Sequence, residues 1–179
     1  LYGPPGCGKT FIANAFAHEL MNENYSYMTL TGGKIMSSKV GIAEKTIERV
    51  FEEAKKHAPC ILFIDEIHRF NKTQQDTLLP YLEDGTVVFI GATTENPSFN
   101  LNNALLSRCH IGVLEPLNTA DLAVLIDRAE KFINKKLPLS MDAKKHLAEI
   151  SDGDARFLLN TIEYLVNAKF KKNLGPDEL

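Results

Sequence analysis

Eight residues near the start of the chain constrain its fold more than any other stretch. They match the pattern G-x-x-x-x-G-K-[ST] and are Gly3, Pro4, Pro5, Gly6, Cys7, Gly8, Lys9 and Thr10. Glycines let a tight turn point its backbone N–H groups at phosphate oxygens, and the lysine adds a cation beside the β and γ phosphates. The hydroxyl of Thr10 is a ligand for Mg²⁺. The pattern predicts a phosphate-binding loop (P-loop) for ATP and Mg²⁺, and the candidate nucleotide-binding set also includes Phe11.

A P-loop normally follows a buried strand and opens a helix whose positive N-terminal end favours anions. Only Leu1 and Tyr2 precede the loop, so we expect the first strand to be missing from this sequence. From Thr10 to about Asn22, apolar residues recur at three- and four-residue steps, which predicts a helix. Its expected apolar face consists of Ile12, Ala13, Phe16, Ala17 and Leu20.

Strands and helices alternate up to about residue 115. Short apolar or alternating runs predict strands at 25–30, 60–64, 86–92 and 110–114. Helical periodicity predicts helices at 43–57, 71–82 and 103–107, with a kink at Pro80 in the second of these. The alternation predicts an α/β domain, residues 1–115, with the parallel sheet and flanking helices of a P-loop NTPase.

After Pro116 the pattern is helical only. Three amphipathic helices are predicted to start near Thr119, Ser140 and Ala155, the first two with those residues as N-caps. We therefore predict a small all-helical lid domain at 116–170, followed by a truncated linker at 171–179.

Asp65 and Glu66 follow directly after the apolar run that ends at Ile64. A P-loop that hydrolyses ATP needs acidic partners, because Mg²⁺ must be held and a water must be activated. Asp65 is the candidate near Mg²⁺, through its water shell, and Glu66 is the candidate general base. Adjacent acidic residues are common in turns, but behind a P-loop they indicate the second motif of ATP hydrolysis (Walker B).

The strand predicted at 86–92 is followed by Thr93 and Thr94. A polar side chain at this end can reach the γ-phosphate or the attacking water, a role called sensor 1, and Thr94 is the candidate. Thr93 is the alternative, because side chains alternate between the two faces of a strand. Both residues also suit the plain role of capping the strand.

Two arginines complete the candidate catalytic set. Arg108, in Ser107-Arg108-Cys109, is a candidate to act on the ATP of a neighbouring subunit. Arg156 starts the third lid helix and is a candidate to bind the nucleotide of its own subunit (sensor 2). Phosphoryl transfer spreads negative charge over the γ-phosphate, which an arginine stabilises. A solvated or salt-bridged side chain is the ordinary alternative for each.

Composition limits the other functions. The formal net charge of -3 excludes a strongly basic nucleic-acid-binding protein, so such contact needs a local patch. The candidates for that patch, most of them expected to be simply solvated, are Lys34, Lys39, Lys45, Arg49, Arg69 and Lys72. His68 follows the acidic pair as in the DEAH box of helicases, but no other helicase motif accompanies it, and a structural histidine is preferred. Three cysteines without C-x-x-C spacing indicate a reducing compartment.

This order of motifs resembles that of AAA+ ATPases, and two longer strings resemble the RarA/MgsA family, which includes the Werner helicase-interacting ATPase. One string runs from Phe63 to Lys72 and continues at 74–76. The other runs from Gly91 to Phe99 and is followed by Leu105-Leu106-Ser107-Arg108. Together with residues 153–156 and 159–160, the resemblance covers the first twenty residues and most of the chain after residue 60. Ser107-Arg108-Cys109 also resembles a clamp-loader string.

The resemblance implies an ATPase that acts at stalled or damaged replication forks, in DNA repair and recombination. It implies a homo-oligomer in which Arg108 reaches a neighbour's ATP. The implied partners are single-stranded or forked DNA and replication proteins such as single-strand-binding protein, with no membrane. The implied location is intracellular: cytoplasmic and nucleoid-associated in a bacterium, or nuclear in a eukaryote.

The stretch from Thr31 to Pro59 departs from that family. Parts of it, at 37–41 and 51–54, resemble the protein-unfolding AAA branch, but Lys39 stands where that branch has an aromatic pore-loop residue. Three other functions stay open at this point. They are a clamp-loader-type nucleotide-dependent scaffold with little hydrolysis, a protein-remodelling ATPase, and a small-molecule kinase, which the helical lid disfavours.

Overall fold

A computed structural model describes residues 1–21, 23–33, 42–85, 87–168, 170 and 173–178. By its contacts the chain divides into an α/β unit, Leu1–Gly3 with Lys9–Leu114, and a helical unit, Pro4–Gly8 with Glu115–Leu179. Several sequence predictions fall on residues outside the described ranges, namely those on Asn22, Lys34, 37–41, Thr86 and 171–172.

A parallel sheet forms the centre of the α/β unit. Its described strands are β1 (Ser26–Thr31), β2 (Cys60–Asp65) and β3 (Val87–Gly91), in the order β1-β2-β3. β1 pairs with β2 from Ser26 opposite Cys60 to Thr31 opposite Asp65. β2 pairs with β3 from Cys60 opposite Val87 to Ile64 opposite Gly91. The first five residues of β2 are buried, which is why its sequence is a continuous apolar run. The predicted parallel α/β sheet is confirmed.

The segment before the P-loop extends this sheet beyond β3. Tyr2 forms parallel bridges to Thr93 on one side and to Val113 on the other. The strand predicted at 110–114 is wrong, because only the single bridge at Val113 forms there. Its neighbour is the short segment around Tyr2, whose N–H donates to the Gly112 oxygen and whose oxygen accepts from the Leu114 N–H. Two hydrogen bonds to one residue make a bridge rather than a strand.

Helices flank the sheet. Those of the α/β unit are α1 (Lys9–Met21), α2 (Ile42–Lys56), α3 (Lys72–Asp76), α4 (Leu79–Glu83), α5 (Pro97–Asn100) and α6 (Asn103–Leu106). A 3₁₀ turn, Ile67–Arg69, follows β2. Helix α2 buries Ile47 and Phe51 in the main core, where the Phe51 ring stacks on Tyr81 with centroids 4.6 Å apart.

Two helix predictions need correction. The apolar face expected for α1 is wrong: Ala13 and Ala17 are buried, whereas Ile12 and Phe16 are 43% and 49% exposed. The apolar residues that α1 buries are thus its small ones, Ala13 and Ala17, and Asn14 adds a contact to the sheet by accepting from the Tyr27 hydroxyl at 2.6 Å. The helix expected at 71–82 is two helices, α3 and α4, with Pro80 in the first turn of α4. Proline there has no N–H and crowds the carbonyl four residues earlier, so a continuous helix is excluded.

The helical unit consists of α7 (Thr119–Ile133), α8 (Met141–Ile150) and α9 (Ala155–Asn167), which share one apolar core. Ser140 caps α8 as expected, by accepting from the Ala143 N–H. The cap of α7 is Asn118 rather than Thr119, because Asn118 and Asp121 form a reciprocal capping box. No helix in the described part of the chain has the length and hydropathy needed to cross a bilayer.

Part of the segment predicted as a linker packs within the helical unit. Leu174 is 6% exposed within the core and pairs with Leu139 through a parallel bridge. Its N–H donates to the Pro138 oxygen, and its oxygen accepts from the Ser140 N–H. A 3₁₀ turn, Pro176–Glu178, follows. Residues 173–178 therefore belong to the helical unit.

Candidate functional site

Glycine makes the P-loop conformation possible at two positions. Gly6 and Gly8 have φ angles of 70° and 93°, in the region that side chains disfavour. A Cβ on Gly6 would lie 1.8 Å from Oδ1 of Asp154, so this position also excludes any larger residue on contact grounds. Beyond Gly8 and its own neighbours along the chain, no heavy atom of the described residues lies within 4 Å of the place that a Cβ on Gly8 would take. A ligand therefore has room to approach the backbone at Gly8.

Lys9 is folded back onto the first residue of the P-loop. Its side chain is 8% exposed, and its Nζ donates to the Gly3 carbonyl at 2.7 Å. Thr10 follows in the first turn of α1, half-buried, while the Phe11 ring is 77% exposed. The candidate phosphate ligand and the candidate Mg²⁺ ligand are thus held next to each other by the start of α1.

Asp65 and Glu66 lie at the carboxyl end of β2, as predicted. Asp65 is its last residue, and one of its carboxylate oxygens accepts the Glu66 N–H at 3.0 Å. Glu66 has a left-handed backbone, with φ of 56°, and thereby separates the strand from the following 3₁₀ turn. Non-glycine residues in this region are uncommon and cluster at functional sites. The turn at Glu66 leaves both carboxylates partly exposed at the sheet edge.

The Glu66 carboxylate is paired with Arg69. Oε1 of Glu66 lies 3.0 Å from Nη2 of Arg69, and both side chains are partly exposed. Gly33 lies beside the pair, and a Cβ on Gly32 would approach the Glu66 carbonyl to 2.5 Å. Arg69 was expected only as a solvated or DNA-facing cation. Its spacing of three residues from Glu66 was the signal that could have predicted the pair.

The two threonines after β3 point in different directions. Thr93 is 4% exposed, whereas Thr94 is exposed. The Thr93 hydroxyl lies 3.0 Å from Nδ1 of His68 and accepts the Glu95 N–H at 3.0 Å. Thr93 is therefore engaged within the protein, and Thr94 is the threonine that a ligand at this edge can reach.

The α/β unit brings the start of the P-loop to the ends of the strands. The Gly3 N–H donates to the Thr93 carbonyl at 3.3 Å, and the Thr93 N–H donates to the Leu1 carbonyl at 2.9 Å. β3 separates this segment from β2, so Gly3 and Asp65 lie about two strand spacings, roughly 10 Å, apart. Ligands of open parallel sheets bind at this carboxyl edge. The lysine and the acidic pair thus lie at the same edge of the sheet.

Arg108 is held on the surface of the α/β unit by Glu83. Nε and Nη2 of Arg108 donate to Oε1 of Glu83 at 3.0 and 2.6 Å, and Nη1 donates to the Ala104 carbonyl at 2.8 Å. The side chain remains 38% exposed. Glu83 was not singled out from the sequence, because its contact with Arg108 spans 25 residues.

Arg156 lies in the first turn of α9 and is exposed. Asp154, the residue directly before that helix, has the clearest structural role among residues 153–156. Asp154 caps α9 by accepting the Arg156 and Phe157 N–H groups at 2.8 and 2.9 Å. The Ala155 N–H donates to the Gly6 carbonyl at 3.2 Å within the same unit. The preference of aspartate for N-caps was the sequence signal for Asp154.

The comparison with protein families gives the class. A model of the ATPase family associated with various cellular activities (AAA) matches residues 1–117, and the chain belongs to that family. The resemblance to RarA-type proteins is also confirmed. The chain is 46% identical over 176 residues to ATPase WRNIP1 of Dictyostelium discoideum, covering 94% of this chain and 19% of that protein. It is 40% identical over 189 residues to Replication-associated recombination protein A of Escherichia coli K12, covering all of this chain and 41% of that protein.

A solved structure has the same fold. A mutant of RuvB from Thermotoga maritima aligns with a TM-score of 0.74 and 27% identity, over 99% of this chain and 58% of that one. Another structure of the RuvB protein, described as a Holliday junction branch migration motor, aligns with a TM-score of 0.70. The chain thus spans less than half of the curated relatives named here and somewhat over half of RuvB.

Proposed function

We propose that this chain is the ATP-binding and ATP-hydrolysing module of a protein that maintains replication forks and acts in DNA repair and recombination. One observation carries the proposal. Gly3 pairs with Thr93, two residues beyond β3, and Asp65 ends the adjacent strand with Glu66 directly after it, so the P-loop starts at the edge that presents the acidic pair. This arrangement suits binding of a triphosphate and activation of a water next to it.

The residues fit ATP with Mg²⁺. The hydroxyl of Thr10 and the carboxylate of Asp65 are oxygen donors, the type that Mg²⁺ prefers. Only one Asp65 oxygen accepts a bond from the described residues, from the Glu66 N–H, and the other is available. When bound, Mg²⁺ neutralises charge on the β and γ phosphates. Backbone N–H groups from Gly6 to Phe11 and the Lys9 ammonium bind the phosphates, while Pro4 and Pro5, which have no N–H, shape the loop.

Glu66 acts as general base by accepting a proton from the attacking water. Thr94 contacts that water or the γ-phosphate from the end of β3. Arg156 stabilises the transferring phosphate within the subunit, and Arg108 does so for a neighbouring copy, which makes the working form a homo-oligomer. An exposed Arg108 whose guanidinium is already oriented by Glu83 supports this role.

The relatives' names supply the biological setting of the proposal. One is named for replication-associated recombination, and the RuvB structure is described as a branch migration motor. We therefore expect single-stranded or forked DNA as a partner of the longer protein, together with replication proteins such as single-strand-binding protein. The module would lie with the DNA, in the cytoplasm of a bacterium or the nucleus of a eukaryote.

One observation favours a second function, that of a nucleotide-dependent scaffold with little hydrolysis. Oε1 of the Glu66 carboxylate is paired with Arg69 at 3.0 Å, and this ion pair weakens the carboxylate as a base in this arrangement. A scaffold of this kind binds ATP, changes shape and releases phosphate slowly.

The Glu66→Gln variant tests the primary proposal. It should bind ATP–Mg²⁺ as tightly as the wild type and release phosphate at least about a hundredfold more slowly, because general base catalysis contributes on that order. Binding is measured with a fluorescent ATP analogue and turnover by phosphate release, with and without forked DNA. Lys9→Ala provides the binding-deficient reference.

Glu53→Gln is the matched control, because Glu53 is a surface residue on α2 that pairs only with its helix neighbours among the described residues. Its turnover should equal that of the wild type. Equal turnover in Glu66→Gln and the wild type, both above background, would remove Glu66 as base. Tight ATP binding with no phosphate release by any variant, in the presence of DNA, would establish the scaffold instead.

A further inference from the structure

His68 joins the ends of two strands that carry the proposed catalytic residues. It lies in the 3₁₀ turn after β2, two positions beyond Glu66, and its side chain is 11% exposed. Nδ1 of His68 lies 3.0 Å from the hydroxyl of Thr93, which follows β3. The neighbouring backbone reinforces this junction, because the Ile67 N–H donates to the Ala92 carbonyl at 3.0 Å.

The hydrogen bonds around Thr93 form a closed set. Its hydroxyl accepts the Glu95 N–H at 3.0 Å and can donate either to the Glu95 carbonyl at 3.2 Å or to His68 at 3.0 Å. When Nδ1 of His68 carries a proton, it donates to Thr93, and Thr93 donates to Glu95. When Nδ1 is bare, it accepts from Thr93. The His68–Thr93 bond forms in both arrangements, so the contact holds for either ring tautomer, while the Glu95 carbonyl receives the Thr93 proton only in the first.

The other ring nitrogen faces Glu95. Nε2 of His68 lies 3.9 Å from Oε1 of Glu95, whose side chain is half exposed. His68 is thus hydrogen-bonded to Thr93 through Nδ1 and approaches Glu95 with Nε2. The Thr93 hydroxyl, which bonds both to His68 and to the backbone of Glu95, links the two residues that flank Thr94.

The backbone of Thr93 carries the connection to the P-loop. Thr93 accepts the Gly3 N–H at 3.3 Å, and the Gly3 carbonyl in turn accepts Nζ of Lys9 at 2.7 Å. A path of direct hydrogen bonds thus runs from His68 through Thr93 and Gly3 to Lys9. All four residues belong to the α/β unit.

We infer that His68 is a positioning residue for ATP hydrolysis: it fixes Thr93 and so holds Thr94 and the start of the P-loop in register with the Walker B pair. The inference rests on the proposed function. In this role His68 does not contact the nucleotide, so the affinity for ATP is expected to depend little on His68. The rate of hydrolysis depends on it strongly, because small displacements of reacting groups cost large factors in rate.

Three substitutions separate positioning from simple packing. His68→Leu fills the space without polar atoms. His68→Asn places a polar atom near the position of Nδ1 and keeps the bond to Thr93, whereas His68→Gln places one near Nε2 and keeps only the approach to Glu95. The matched control is the same change, His57→Leu, at an exposed histidine that lies shortly before β2 in the chain.

We expect kcat for ATP hydrolysis to fall about tenfold or more in His68→Leu, with KM for ATP changed less than about twofold. His68→Asn should recover most of the loss and His68→Gln little of it. In a double-mutant cycle, the losses of His68→Leu and Thr93→Val should be less than additive, because both remove the His68–Thr93 bond, although Thr93→Val also removes the bond from the Glu95 N–H. Equal kcat in His68→Leu and wild type, or equal losses in the Leu and Asn variants, would overturn the inference.

A readout without catalysis keeps this result separate from the proposed function. In ¹H–¹⁵N spectra of the nucleotide-free protein, His68→Leu should shift the amide signals of Gly3, Thr94 and Glu95, and His68→Asn should return them toward their wild-type positions. Unchanged Gly3 and Thr94 signals in a folded His68→Leu variant refute the positioning role whether or not the wild type hydrolyses ATP. Shifted signals with a wild type that binds ATP but releases no phosphate refute hydrolysis while supporting the contact path.

Discussion

Replacing Glu130 by glutamine tests how the helical unit is held together. Glu130 is 4% exposed, near the C-terminal end of α7. Its Oε1 accepts from Nζ of Lys144 at 2.7 Å and from the Leu137 N–H at 2.8 Å, and its Oε2 accepts from Nζ of Lys136 at 2.9 Å. These bonds tie α7 to the following loop and to α8.

The size of the expected loss of stability follows from the charge on the Glu130 carboxyl. Burial by itself raises the pKa of Glu130, but the hydrogen bonds from Lys136, Lys144 and Leu137 outweigh it and lower the pKa from 4.5 to about 2. At about 1.4 kcal/mol per pH unit, that shift corresponds to ~3 kcal/mol of stability. Because the folded-state pKa is the lower one, this stability is present above pH 4.5 and is lost as the pH falls toward 2.

At pH 7 we therefore expect Glu130→Gln to lower the free energy of unfolding of the helical unit by ~3 kcal/mol, the range found when a buried ion pair loses one partner. Near pH 2 the variant and the wild type should differ little. The control is Lys136→Gln, because the Lys136 side chain is 85% exposed and water screens its ion pair. It should lower the free energy of unfolding far less than Glu130→Gln does.

Native-state hydrogen exchange of the α7 and α8 amides at several pH values measures these differences. The Leu137 amide reports the local bond directly, since it donates to Glu130. The reasoning fails if Glu130→Gln and Lys136→Gln are equally mild at pH 7. It also fails if the deficit of Glu130→Gln is as large at pH 2 as at pH 7.

Three further predictions concern single contacts. Gly6→Ala should abolish ATP binding and loosen the start of α9, because φ is 70° there and the new Cβ would collide with Asp154; wild-type affinity by fluorescence titration would contradict this. Arg108→Ala should keep ATP binding but lower phosphate release by about a thousandfold if the residue acts between subunits, and equal turnover per ATP site in monomeric and assembled protein would exclude that role. Leu174→Ala should lower the free energy of unfolding of the helical unit by ~2–5 kcal/mol, as for other buried leucines, whereas a truly unpacked tail would show no change in urea denaturation.

The sheet and the acidic pair were predictable because burial leaves a direct mark on sequence. β2 is covered on both faces, so only apolar residues occupy it until the chain reaches the edge, where Asp65 appears. The P-loop was equally clear, since its glycines are required by backbone angles that other residues disfavour. In both cases a local physical requirement is met by a few residue types.

The errors come from requirements that lie outside the local sequence. Ile12 and Phe16 have the spacing of a buried helical face, but they are about half exposed, and the apolar residues that α1 buries are Ala13 and Ala17. Leu174 sits in a polar tail and is buried only because that tail returns to Leu139. Pattern arguments assume that a periodic apolar residue is buried and that a residue in a polar segment is not. Ile12 and Phe16 contradict the first assumption, and Leu174 contradicts the second.

The candidate site divides by exposure into groups that can meet a ligand and groups that hold them. Asp65, Glu66 and Thr94 are partly or fully exposed at the strand ends, whereas Thr93 is buried and His68 nearly so. A parallel sheet produces this division, because consecutive residues beyond a strand end point to opposite sides. One then faces the crevice where ligands bind, and the next faces the protein. The proposal of Thr94 rather than Thr93 as the nucleotide-sensing residue therefore rests on the direction in which the chain leaves β3. The buried threonine gains a partner, His68, because β2 ends beside it.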